Sequence, residues 1–153
     1  MTDTNSEENK NKTLEANTAL IINNALCSIN GQPTVSGPGW SSMISGVWYD
    51  KHGVSDNSFS GSNFDQYPPF NVLLDQSEEI FHTASFIMWT PIHSEIFNET
   101  MSYNEIHPSY DGSVAQGAAD YMATEELDIL FLDFDHIDHA GHSYGFEPDI
   151  PEY

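Results

Sequence analysis

"LDILFLDF", residues 127–134, decides how the rest of this chain is read. Leu130, Phe131 and Leu132 follow one another without a polar break, so no amphipathic helix face can be drawn through them. A run this short and this continuous predicts a strand covered on both faces, which is the habit of parallel sheets. Its carboxyl end opens into "DHIDHAGH", residues 135–142. Open α/β sheets place ligands at that edge, because the loops following the strands converge there.

Working outward, "SVAQGAADYMAT" (113–124) predicts a helix, with Ser113 and Gln116 in capping-box spacing at its head. "TASFIMW" (83–89) predicts a second buried strand, and "NVLLDQSEEI" (71–80) a helix. Residues 98–112 read as loop. Further upstream, "WSSMISGVW" (40–48) predicts a short helix closed by Gly46, preceded by the Gly/Pro-rich loop "NGQPTVSGPG" (30–39). "YDKHGVSDNSFSGSNFDQYPP" (49–69) reads as a long irregular stretch. "TLEANTALIINNALCSI" (13–29) has near-helical apolar spacing, and residues 1–12 read as a disordered polar leader. Helices alternating with buried strands predict an α/β layered fold with a mostly parallel sheet, one domain over 13–153.

Charge narrows the function. Against 24 Asp and Glu stand three Lys and no Arg, a formal net charge of −21. Such a surface repels phosphate backbones and anionic lipid, which argues against nucleic acid and membrane surfaces as partners. Solvation explains the bias, and attraction of divalent cations is compatible with it. The single cysteine, Cys27, sits in an apolar stretch and permits no internal disulfide. The start of the chain carries no signal-peptide pattern, and no apolar run approaches the roughly 20 residues of a membrane span.

Two stretches carry chemistry. Asp138 and His142, separated by "HAG", can meet one cation from a helical turn or around a tight glycine loop. Zinc accepts such oxygen and nitrogen ligands. A solvated acidic loop is the competing reading of the same residues. Ser36, in a Gly/Pro turn directly before a short helix, would sit at the positive end of the helix dipole, which stabilises an anion or alkoxide. An ordinary turn serine is the alternative there.

Taken together, "TVSGPGWSSMISGVWYDKHGVSDNSF" (34–59) and "FLDFDHIDHAGHSYGF" (131–146) resemble the type I phosphodiesterase/nucleotide pyrophosphatase branch of the alkaline phosphatase superfamily. The resemblance implies an alkaline-phosphatase-like three-layer sandwich and hydrolysis of a phosphodiester or nucleotide pyrophosphate, a small-molecule phosphoric ester, with two zinc ions. It assigns the nucleophile, which also touches one zinc, to Ser36, two residues ahead of Pro38. The donor to the phosphoryl oxygen falls on Asn57, and ligation of the other zinc on Asp138 and His142. His52 is expected to fix its loop, Asp135 to support the site, and His139 to act as an outer or substrate-contacting group. Trp40, Trp48 and Trp89 are expected in the core, and His82, His93 and His107 match no motif.

Family members begin with an apolar strand ending in Asp-Gly, which residues 1–32 lack, and continue past the second motif to further zinc ligands. The resemblance therefore implies a shortened catalytic domain with an incomplete sheet and exposed strand edges. A catalytically inactive remnant with weak cation binding is the alternative. Family members are often extracytoplasmic; compartment and oligomeric state are not legible.

Overall fold

The computed structural model describes residues 31–98, 100–107, 109–147 and 149–151. The leader over 1–12 and the helix expected over 13–29 lie outside the described residues. The chain divides into two compact units, Met1–Pro68 and Pro69–Tyr153.

In the first unit the helix α1 (Ser36–Ser45) leads through Gly46 to the single turn α2 (Tyr49–His52). Gly46 closes α1 as expected, with φ 72° and its N–H donated to Ser42 O. A left-handed residue there suits glycine, which has no Cβ to clash. The loop expected over 30–39 is shorter than predicted. Pro38 needs no backbone N–H in a first turn, where the donors have no partner anyway, so the helix starts at Ser36 and runs through "SGPG". Beyond α2 the chain is irregular but anchored. Gly53 (φ 75°) lies so close to Gly61 O that a Cβ would approach it to 2.2 Å, and Asn63 N donates to His52 O at 2.8 Å.

The second unit holds the sheet. Helix α3 (Phe70–Asp75) precedes β1 (Thr83–Ile87), a π-helix (Ile92–Phe97), β2 (Tyr103–Ile106), helix α4 (Asp111–Met122), β3 (Ile129–Leu132) and helix α5 (His136–Tyr144). All pairing is parallel, in the order β2-β1-β3, with Ala84 opposite Tyr103 and Leu130 and Phe86 opposite Glu105 and Leu132. The sheet is an open α/β arrangement of the expected class.

Three expectations are corrected. The run "LDILFLDF" contains a strand, Ile129–Leu132, but among the described residues it lies at the edge of the sheet and is only half-buried; full burial belongs to β1, flanked on both sides. Residues 103–106 are strand rather than loop: Tyr103, Asn104, Glu105 and Ile106 carry no apolar alternation, and pairing with β1 holds them extended. The capping box fails, because α4 begins at Asp111 and Ser113 Oγ donates to the Tyr110 carbonyl instead of accepting from an N–H.

Alternation along β1 sends side chains to two faces. Ala84 and Phe86, with Met88, pack against Val114 and Ala118 of α4, joined by Tyr103, Tyr121, Leu130 and Leu132. On β3, Phe131 meets Phe97 of the π-helix edge-to-face at 4.9 Å, and Phe97 meets Phe70 of α3 at 5.8 Å. Burying Phe86 completely contributes roughly 1.5–3 kcal/mol. The three tryptophans are half-buried rather than core. Among the described residues no helix is long and apolar enough to cross a membrane.

Candidate functional site

Ser36 occupies the first position of α1, half-buried, with Val35 as the extended residue before it. The next residue, Gly37, donates its N–H to Asn57 Oδ1 at 2.6 Å. That contact joins two residues twenty apart in sequence and settles the Asn57 amide: its oxygen faces the backbone donor, leaving the NH₂ as the donor end. The approach demands glycine. A Cβ on Gly37 would sit 2.5 Å from the Asp56 carbonyl oxygen and 3.1 Å from Asn57 Oδ1. Asp56 shapes the loop carrying Asn57, its Oδ1 accepting from Ser58 N at 2.8 Å and Ser58 Oγ at 2.5 Å. Those bonds to the ionised form hold the Asp56 carboxyl below its usual range.

His52 fixes this loop, as expected of it. It is fully buried, and its Nδ1 accepts from Val54 N at 3.1 Å. The proton therefore sits on Nε2, 2.9 Å from Ser42 Oγ. Ser42 donates onward to Gln32 Oε1 at 2.8 Å, and Gln32 Nε2 donates to the Pro38 carbonyl in the first turn of α1. Burial pushes the His52 pKa down to about 4, against a smaller opposing pull from Asp50. The imidazole is neutral near pH 7.

In the second unit "DHIDHAGH" forms helix α5, directly after the carboxyl end of β3. This resolves the choice left open by the sequence: Asp138 and His142 meet one turn apart on a helix, Oδ2 and Nε2 separated by 3.3 Å. Both side chains are open to solvent. Two donors each about 2.1 Å from a tetrahedral zinc ion lie roughly 3.4 Å apart, so the pair has the right span for adjacent ligands. Among the described residues no group of three or more His, Cys, Asp or Glu could hold a metal ion. The pair by itself offers one oxygen and one nitrogen.

Two further carboxylates, Asp133 and Asp111, hold backbone N–H groups at the end of β1 and at the start of α5. Asp133, at the end of β3, is buried, and its Oδ2 accepts from Met88 N at 3.1 Å and Trp89 N at 2.7 Å at the end of β1. Burial raises its pKa, opposed by those two bonds; nearby Asp135 and Asp111 raise it further. Asp135 is raised by burial first and then by Asp138, with His139 and His142 pulling the other way. Asp111, in the first turn of α4, accepts from Asp135 N and His136 N through Oδ1 at 2.9 and 3.2 Å. A buried-strand carboxylate such as Asp133 has a sequence signal, a charge abutting an apolar run. Asp111 has none, since its partners lie 24 and 25 residues downstream. His139 is exposed. His107 pairs with Glu105 at 2.8 Å, and His82 Nδ1 lies 2.6 Å from the Glu126 carbonyl oxygen.

A family model for type I phosphodiesterase / nucleotide pyrophosphatase matches residues 25–153. The chain belongs to that family. Comparison with curated proteins and with solved structures found no match. The match takes in both motifs and the sheet between them, and the family is one of phosphoric ester hydrolases acting on small substrates. Within this member of the family, Ser36 and Asn57 belong to the first unit, and Asp138 and His142 to the second.

Proposed function

We propose that this chain is a metal-dependent hydrolase of phosphoric esters, acting on a phosphodiester or nucleotide pyrophosphate through Ser36. The observation that carries the reading is the Gly37–Asn57 bond, which ties the donor amide to the residue following the nucleophile. Ser36 Oγ attacks phosphorus and loses its proton to solvent. The phosphorus–oxygen bond to the alcohol or nucleotide breaks, and that group leaves with the electron pair. The N-terminal turn of α1 stabilises the negative charge, and the Asn57 NH₂ donates to a phosphoryl oxygen. Water then cleaves the phosphoserine and regenerates the hydroxyl. Asp138 and His142 would hold one zinc ion and Ser36 would touch another. Bound zinc supplies the positive charge that a chain without arginine lacks and lowers the pKa of a coordinated hydroxyl or water.

A chromogenic phosphodiester, incubated with the chain and zinc, tests the reading. Turnover that disappears on chelation and in Ser36→Ala supports it. The absence of a three-ligand cluster among the described residues favours a second reading, an inactive remnant with weak cation binding. No turnover at any zinc concentration would establish that one.

A further inference from the structure

Helix α5 does not cap itself. Asp135, the residue before its first turn, makes no side-chain cap, so the first N–H groups need an acceptor from elsewhere. That acceptor is Asp111, whose Oδ1 takes both Asp135 N and His136 N. Its neighbours close on the same point. The Tyr110 ring lies 5.4 Å from the His136 ring, and His136 Nε2 is 3.3 Å from the Ser109 carbonyl oxygen. Three consecutive residues, 109–111, therefore grip the start of the helix carrying Asp138 and His142. The link from β3 to α5 is only residues 133–135, so this grip and the Asp133 anchor set the direction in which the helix leaves the sheet.

We propose that Asp111 is a positioning residue: it orients α5 so that Asp138 and His142 face a divalent cation as a pair. The inference rests on the reading of that pair as metal ligands. Asp111 itself acts through α5 and not as a ligand, because its Oδ1 is committed to two backbone donors. A carboxylate at a helix start is also favoured by the helix dipole. The arrangement has a cost, since Asp111 adds negative charge beside Asp135 and Asp133; neither carboxylate would be raised as far without it.

The test compares the full chain with Asp111→Asn and Asp111→Ala. Amide exchange at His139 and Gly145, whose N–H groups bond within α5, reads helix order without metal, and calorimetric zinc titration reads the pair. Asp111→Ala should speed exchange in α5 and weaken zinc by about tenfold each, the scale of a lost cap and of a lost outer partner. Asp111→Asn should stay within about twofold of the parent, because an amide oxygen accepts the same two N–H groups. Unchanged exchange and zinc affinity in Asp111→Ala overturns the proposal, as does Asn failing as badly as Ala, which would make the charge itself the active feature. Should Asp111→Ala also release the β1 amides, Asp111→Glu replaces it: the displaced carboxylate should weaken zinc with β1 still protected, and parental behaviour there overturns the proposal. No zinc uptake by the parent chain would instead remove the ligand reading, and the positioning role with it.

Discussion

Acidifying the first unit should destabilise it through one residue. His52 is fully buried, and both ring nitrogens are committed: Nδ1 accepts from Val54 N and Nε2 faces Ser42 Oγ. A second proton would place an N–H at Nδ1 against the Val54 donor, in a fully buried site. Burial, outweighing the pull of nearby Asp50, holds the His52 pKa at about 4, against 6.5 for a free histidine. A histidine lowered in the folded state contributes stability that is complete above the unfolded value and is lost as pH falls toward the folded one. The unfolded chain takes up the proton first, so unfolding gains with each step toward acid. Linkage with these two values puts the loss at about 2 kcal/mol between pH 7 and pH 5, rising to about 3 kcal/mol at pH 4. Urea denaturation of the parent and of His52→Asn at the two pH values isolates the effect, since every other group titrates in both. Asn keeps an acceptor for Val54 but has no proton to gain, so the parent should lose about 2 kcal/mol more than the variant from pH 7 to pH 5. An NMR titration of the His52 ring supplies the direct check. A ring titrating near 6.5, or equal losses in the two proteins, would refute the account of a neutral, doubly bonded imidazole.

Other outcomes follow from the same geometry. Gly37→Ala should cost about 1–3 kcal/mol and most of the phosphodiester turnover, because the new Cβ would lie 2.5 Å from Asp56 O and push Asn57 away; a variant with parental melting and turnover would show the close approach to be dispensable. Asp133 behaves oppositely to His52: its raised pKa means stability is fully present below the unfolded value near 3.9 and falls as pH climbs through the folded one. Asp133→Asn, which can still accept from Met88 and Trp89, should abolish that fall, and an unchanged pH profile would count against it.

The sequence by itself determined whatever rests on local pattern. The short apolar run Ile129–Leu132, flanked by Asp128 and Asp133, is too brief for a helix and fits a strand, Gly46 has no Cβ to oppose a left-handed stop, and the spacing of Asp138 and His142 puts them on one side of any helical turn. The two motifs were legible for the same reason: each is a contiguous string. Tertiary structure decided what depends on partners distant along the chain. Tyr103–Ile106 is a strand because β1 offers it hydrogen bonds, not because its own residues alternate. Which strand is buried was also decided there, since an apolar run does not say whether it has one neighbour or two. The acceptor for the start of α5 was invisible for that reason: Asp111 acquires its role only when α4 and α5 are brought together by the sheet. Local sequence fixes which donors and acceptors exist; the chain path through β1 and its neighbours fixes which of them meet.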